Sequence, residues 1–289
     1  MRDCKIGDIE DALDRAEKMY RGIKVMRDCG FPSGEFAWEE CYLAFRKARK
    51  ARPSNGASPE YEQLKEQACL RLAVYLATFG MYRRSSFISG LDASAHMPVV
   101  ELLLEKKYDA LAEFPGPSSA GGGSMPDSEW NEALFVLVDE MCAHYSKVKS
   151  QVLLFKEFHG GFPGQLAEET LKECELIKAK KPVDADKAGV SRVLITKILM
   201  GAFGSIPAYD RYFCAGAKQF GLPQAFSKCS FLKLCDFVRD NWSDVERTAK
   251  EMKLLTAEGA ELGLHYPPMR VVDKGMWCLG LEVEDNKNR

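Results

Sequence analysis

The sequence predicts an all-α protein, and three observations support this fold class. Apolar residues recur at spacings of three and four along most of the chain, which is the period of a helix with one buried face. No stretch shows sustained alternation of apolar and polar residues with β-branched enrichment, so a sheet is not expected. Residues that favour helix N-termini precede several of the periodic stretches, as at Ser58, Asp127 and Ser243.

One helix is expected at the centre of the protein. The helical pattern covers residues 9–26, 36–48, 61–79, 99–114, 130–155, 166–177, 193–203, 231–238 and 245–262. Of these, 193–203 is apolar on nearly every face, which is typical of a helix surrounded by other elements. Its exceptions are Thr196 and Lys197, and the lysine is expected to extend along its aliphatic stem towards solvent.

Composition and charge exclude several classes of protein. The chain has 289 residues, 46% of them hydrophobic and 28% charged, as in ordinary globular proteins. It has no apolar run long enough to span a membrane, and its first residues lack the apolar segment of a secretory signal. The ten cysteines are scattered singly in apolar windows, which favours a reducing, cytoplasmic location. A net charge of −2 means that any contact with nucleic acid requires a local basic patch.

A segment rich in glycine, serine and proline divides the chain. We interpret residues 117–128 as a flexible linker, because this composition buries too little apolar surface to order itself. Residues 1–116 then form an N-terminal helical lobe and residues 129–289 a C-terminal one. The sequence therefore predicts a two-lobed protein with an interlobe cleft, although a long loop within one domain has the same composition.

The stretch AGVSRVLITKILMGAFGSIPAYDRYF, residues 188–213, is the most informative in the chain. Gly204 is a suitable end for the apolar helix, and Pro207 cannot continue it. Asp210 follows at once, between Tyr209 and Arg211. Two interpretations stay open. Asp210 caps the next helix or pairs with Arg211, or else a rigid helix directs a catalytic carboxylate.

This stretch resembles the core of the helix-hairpin-helix DNA glycosylases. In that family a glycine-rich hairpin, an apolar helix and a proline-containing turn precede an essential aspartate. Gly189 and Val190 match the start of the hairpin, and Asp210 lies at nearly the family's spacing. Ser191 replaces the second hairpin glycine, and the position of the family's lysine nucleophile holds Arg192 or Val193.

The resemblance implies a DNA glycosylase that excises a base without cutting the strand. Double-stranded DNA is the expected partner, and a base is extruded from the stack into a pocket. The hairpin residues Gly189, Val190, Ser191 and Arg192 would hold a DNA phosphate through backbone N–H groups. Asp210 would stabilise an oxocarbenium-like sugar and orient the attacking water. The target base is open, and a modified base of bacteriophage DNA, in a role in phage defence, is one hypothesis.

Two other places carry residues suited to the same site. Arg83 and Arg84 lie in a loop behind an apolar helix, where they would contact phosphates or form a solvated turn. Near the C-terminus, Arg270, Asp273 and Trp277 share one helical face. With Tyr209, Trp277 and Asp273 are candidates for the base pocket, although a packed terminal helix would show the same pattern.

No metal or cofactor is predicted. The four histidines lie far apart, without cysteine or carboxylate at metal-ligand spacing, and His96 is expected to cap a helix or form hydrogen bonds. Cys214, Cys229 and Cys235 are too widely spaced for the iron–sulfur loop of some glycosylases.

Two further functions remain open. One is a noncatalytic module that binds DNA or protein, in which Asp210 is held in a buried ion pair with no pocket beside it. The other is a small helical enzyme that binds a phosphorylated ligand through residues 83–86.

Overall fold

The protein is built almost entirely from helices. A computed structural model describes residues 9–28, 34–54, 56, 58–83, 86–117, 127–159, 190–256 and 260–287. The described helices are α1 (Ile9–Asp28), α2 (Gly34–Lys50), α3 (Pro59–Thr78), α4 (Met97–Leu103), α5 (Asp127–His159), α6 (Arg192–Phe203), α7 (Arg211–Gln219), α8 (Lys228–Asp240), α9 (Trp242–Glu251) and α10 (Pro268–Lys287). The all-α prediction is confirmed, and the predicted helix 166–177 lies outside the described residues.

Short 3₁₀ helices complete the first half of the chain. They span Phe87–Gly90, Ala93–His96 and Lys106–Ala112. The prediction of one helix over 99–114 is therefore wrong in its second part, because Glu105 is extended and separates α4 from the last 3₁₀ helix. None of the described helices is both long enough and apolar enough to cross a membrane.

Some of the predicted N-cap residues cap their helices, and others do not. The Ser58 hydroxyl accepts a hydrogen bond from the backbone N–H of Tyr61 at 3.1 Å, as expected for an N-cap. Ser243 does not cap α9, which begins one residue earlier with Asn241 at its N-cap. A capping box formed by Ser227 and Ser230 starts α8 and was not predicted.

A β-hairpin replaces the end of the last predicted internal helix. Strand β1 (Lys253–Leu255) pairs antiparallel with β2 (Glu261–His265), so the helix predicted over 245–262 ends at Glu251. Leu254 and Leu255 are buried, and the Lys253 N–H donates to the Tyr20 hydroxyl at 3.1 Å. These tertiary contacts favour the extended backbone over continuation of the helix.

The two predicted lobes share one hydrophobic core among the described residues. Its buried side chains come from both sides of the linker, from Ile9 to Met276. The Trp38 indole donates to the Met200 carbonyl at 3.0 Å and ties α2 to α6. The division into lobes with a cleft between them stays a prediction.

The predicted linker 117–128 is wrong at its end, because Asp127 and Ser128 belong to α5. Arg239 contacts Pro115, which precedes the predicted linker, and Asp127. Its Nε donates to the Pro115 carbonyl oxygen at 3.4 Å, and its guanidinium lies 2.8 Å from the Asp127 carboxylate. The Arg239 guanidinium also lies over the ring of Phe114. Residues 115 and 127 are thus held by one side chain.

Candidate functional site

Asp210 caps α7 at the end of a buried turn. Helix α6 ends at Gly204, whose φ of +70° is left-handed, and a Cβ there would lie 2.6 Å from Pro267. The turn then runs through Pro207 to Asp210. One carboxylate oxygen of Asp210, Oδ1, accepts hydrogen bonds from the backbone N–H groups of Tyr212 and Phe213, each at 3.1 Å. The capping interpretation of the sequence is therefore confirmed.

The other carboxylate oxygen of Asp210 is paired with Lys197. The Lys197 ammonium donates to Oδ2 at 3.0 Å and also lies 4.9 Å from the centre of the Phe79 ring. Lys197 is only 4% exposed, so the expectation that it extends to solvent is wrong. The predicted alternative partner, Arg211, instead lies over the ring of Tyr212, with Cζ 4.4 Å from its centre.

Asp273 is a second carboxylate beside the same turn, and unlike Asp210 it is fully buried. Its Oδ1 accepts the backbone N–H of Ala208 at 2.8 Å, and its Oδ2 accepts a hydrogen bond from Arg270. Burial raises the pKa of Asp273 to about 6, although the neighbouring Arg270 lowers it. Arg270 is fixed in turn, because its guanidinium lies 4.7 Å from the Trp38 ring centre.

These groups surround a small pocket. It contains about 280 Å³ of empty space, much of which is open to solvent. The lining side chains are Met19, Phe79, Lys197, Met200, Ala208, Asp210, Arg270, Asp273, Lys274 and Trp277. Two carboxylates and three cations thus line one pocket together with two aromatic rings, those of Phe79 and Trp277.

Trp277 and Asp273 lie on one face of a helix, as the sequence predicts. Both line the pocket from α10, as does Arg270, so the predicted shared face is present. The Trp277 ring is partly exposed and meets the Tyr212 ring edge-on at 5.3 Å between centroids.

Tyr209 occupies a different position from the other base-pocket candidates. Its ring is buried against the rings of Phe213 and Phe226, at centroid distances of 5.0 and 5.1 Å. Burial raises the pKa of its hydroxyl. The ring is therefore part of the hydrophobic core, and only the backbone of Tyr209 contributes to the turn.

The candidate phosphate-binding residues are spread around α3 and α6. Gly189 and Arg84 lie outside the described residues. Val190 packs against the core, and the exposed Ser191 is the N-cap of α6 without a side-chain capping bond. Arg192 is exposed and lies 3.4 Å from the Cys142 sulfur.

Arg83 is close in sequence to a pocket residue. Its guanidinium lies against Gly80, whose φ is +71°, and Gly80 follows Phe79 of the pocket wall. This contact holds Arg83 close to the end of α3.

Sequence reasoning missed Lys197 and Lys274 as pocket residues. Lys274 is 1% exposed, and its ammonium lies 5.5 Å from the centre of the Tyr266 ring. The sequence did contain an indication for Lys197. A lysine within an otherwise apolar helix requires a partner of opposite charge if it is buried. No comparable signal marks Lys274.

His96 forms a buried hydrogen-bond chain. Its Nε2 lies 2.6 Å from the Tyr82 hydroxyl and its Nδ1 lies 2.6 Å from the Tyr145 hydroxyl. The prediction of a hydrogen-bonding histidine is confirmed. Burial, assisted by the nearby His144, lowers the pKa of His96 to about 4.

Within the described part of the chain, no three His, Cys, Asp or Glu side chains are grouped so as to hold a metal ion. Comparisons of the chain with protein-family models, with curated proteins and with solved structures gave no match.

Proposed function

We propose that the protein is a monofunctional DNA glycosylase and that Asp210 is its catalytic residue. The observation that carries this proposal is the placement of the Asp210 carboxylate. Three donors hold it at the wall of a pocket, and a partly exposed tryptophan lies on the same wall. A fixed negative charge of this kind favours the positive charge that develops on a sugar when its glycosidic bond breaks.

The pocket offers further groups suited to a nucleotide. The Trp277 ring provides a partly exposed face for stacking, and stacking on an aromatic ring contributes about 1–3 kcal/mol per base. Lys197, Arg270 and Lys274 add positive charge to the pocket wall. The overall charge of −2 then matters less than this local arrangement.

The amine of Lys197 is compatible with hydrolysis by water. A lysine that attacks a sugar must direct its amine at the reacting carbon, whereas the Lys197 Nζ is held by the Asp210 carboxylate and lies over the Phe79 ring. We therefore expect an abasic product without strand cleavage. Borohydride should trap no covalent complex between the protein and DNA.

The test compares wild type with Asp210→Asn on unmodified and heavily modified phage duplex DNA. Asparagine is also a good N-cap, so this variant removes the charge while it can still accept the N–H bonds of α7. Asp92→Asn is the matched control, because Asp92 also caps a helix, accepting from the Ser94 N–H at 2.7 Å. An aldehyde-reactive label measures abasic sites.

We expect abasic sites with wild type and with Asp92→Asn, and none with Asp210→Asn. If Asp210→Asn does not fold, the double variant Lys197→Met, Asp210→Asn removes both charges of the pair and replaces it in the assay. Equal numbers of abasic sites with folded wild type and folded Asp210→Asn would contradict the proposal.

A second candidate is the noncatalytic binding module, and one observation favours it. Both oxygens of Asp210 already accept hydrogen bonds within the protein, as expected for a structural cap. This alternative predicts binding of DNA or of a protein without base release. Absence of abasic sites across the whole DNA panel, together with a lower melting temperature of Asp210→Asn, would favour it.

A further inference from the structure

The turn that carries Asp210 depends on side chains from two helices for its backbone hydrogen bonds. The buried residues from Ile206 to Tyr209 form neither helix nor strand, so their N–H groups require other partners. The Ala208 N–H donates to Asp273 Oδ1 of α10 at 2.8 Å. The Tyr209 N–H donates to Thr196 Oγ1 of α6 at 3.1 Å.

Thr196 is well suited to fix the turn. Its hydroxyl donates to the Arg192 carbonyl oxygen of its own helix at 2.9 Å while it accepts the Tyr209 N–H. The side chain is fully buried, so water does not compete for these bonds. The next residue, Lys197, holds the Asp210 carboxylate itself. Thr196 and Lys197, the two buried polar residues of α6, therefore contact the turn and the Asp210 side chain that it presents.

We propose that Thr196 and Asp273 are positioning residues for Asp210. They hold two successive N–H groups of the turn, and the Asp210 N–H closes it by donating to the Ala208 carbonyl at 2.7 Å. The carboxylate is thereby fixed relative to α6 and α10, the helices that supply the other charged groups of the pocket. The role of these residues in catalysis rests on the proposed glycosylase function.

The experiment uses Thr196→Val, Thr196→Ser and a matched control, Thr248→Val. Valine fills the space of threonine without a hydroxyl, whereas serine keeps the hydroxyl. Thr248 lies on α9 and is buried to a similar degree, with 2% exposure against 0% for Thr196. Base release gives kcat and KM, and NMR of the backbone amides gives the hydrogen-exchange rate of Tyr209 in each folded variant.

We expect Thr196→Val to lower kcat by about 10- to 100-fold, because small displacements of a catalytic group have effects of this size. KM should change less than about twofold, since the side chain does not line the pocket wall. Thr196→Ser should restore kcat. The Tyr209 amide should exchange faster in Thr196→Val and keep its protection in Thr196→Ser and Thr248→Val.

Three outcomes would overturn the inference. An unchanged kcat in Thr196→Val would show that the hydroxyl does not position the carboxylate. An equal loss in Thr248→Val would assign the effect to general destabilisation. If wild type releases no base, the glycosylase proposal fails, but the structural role of Thr196 can still be tested by hydrogen exchange. A Tyr209 amide that is as protected in Thr196→Val as in wild type would show that Thr196 does not hold the turn.

Discussion

The ammonium of Lys197 donates a hydrogen bond to the carboxylate of Asp210 at 3.0 Å, across thirteen residues of sequence. This pair joins the middle of α6 to the N-cap of α7. Each partner is largely removed from water, with 5% of the lysine side chain and 17% of the aspartate side chain exposed. The pair therefore supplies two of the five charged side chains that line the pocket, and its removal tests how much it stabilises the fold.

Loss of one partner of this pair should cost more than loss of both. Lys197→Met leaves the Asp210 charge with no ammonium beside it, and breaking a buried pair in this way costs about 3–5 kcal/mol. In the double variant Lys197→Met, Asp210→Asn no isolated charge remains. Its free energy of unfolding should therefore be higher than that of Lys197→Met alone. Urea unfolding of the four proteins gives the coupling energy. Strictly additive single effects would show that the two groups do not interact in solution.

The crossing of α7 and α10 should tolerate no side chain at Gly216. A Cβ at this position would overlap the carbonyl group of Met276. We expect Gly216→Ala to lower the free energy of unfolding by about 1–3 kcal/mol, the usual range for overpacking. Gly22→Ala is the control, because Gly22 lies in α1 and no neighbouring atom lies within 4 Å of the place that a methyl group would take there. Alanine there should stabilise by roughly 0.5–1 kcal/mol.

A result in which both glycine variants melt at the wild-type temperature would contradict the close approach of the two helices. Differential scanning calorimetry at one scan rate is sufficient for this comparison. Gly280 offers a second position, since a Cβ there would overlap the Tyr212 carbonyl from the other side of the same crossing.

Protonation of His96 should destabilise the fold in mild acid. The pKa of His96 is about 4 in the folded protein and about 6.5 in an unfolded chain, so the unfolded state binds more protons between these values. Stability should therefore fall as the pH drops from 6.5 towards 4. The loss from this group between pH 7.5 and pH 5 should be about 2 kcal/mol.

His96→Gln provides the comparison, because glutamine does not titrate and can still contact the two tyrosine hydroxyls. The wild-type advantage over this variant should shrink as the pH falls. His144 and Asp92 are the charged or titratable neighbours whose charges act on His96, and Tyr82 and Tyr145 are its hydrogen-bond partners. All four are kept in both proteins. Parallel urea midpoints from pH 7.5 to 5 would contradict the prediction.

Asp273 should act on stability in the opposite direction. Its pKa is about 6 in the folded protein, above the ordinary value of 3.8, so the folded state binds more protons between these values. Its contribution is present at low pH and is lost as the pH rises through 6. Relative to wild type, Asp273→Asn should gain about 2 kcal/mol between pH 4.5 and pH 8.

Asp285→Asn, at an exposed position of the same helix, is the control for this titration. Chemical denaturation at several pH values measures both variants. A difference between wild type and Asp273→Asn that stays constant with pH would show that the pKa of the Asp273 carboxyl is not raised.

Much of the helical structure could be predicted because it depends on neighbours in sequence. The apolar period placed α1, α2, α3 and α5 within a few residues, and the Ser58 cap is local chemistry. The same periodicity placed Asp273 and Trp277 on one face of α10, where both line the pocket. The hairpin at Lys253 was not predictable in this way, because its backbone is held by Tyr20 from a distant helix.

The sequence by itself determined an all-α fold, a central apolar helix, and a carboxylate at the end of the turn that follows it. Only the tertiary structure decided which way the polar groups face. Lys197 points into the protein, although it was expected to extend towards solvent. Tyr209 packs in the hydrophobic core, although it was a candidate for the base pocket. The physical reason is that a buried charge is tolerated only where a partner is already in place. That partner, Asp210, is brought within reach of Lys197 by the turn after α6, where Thr196 accepts the Tyr209 N–H.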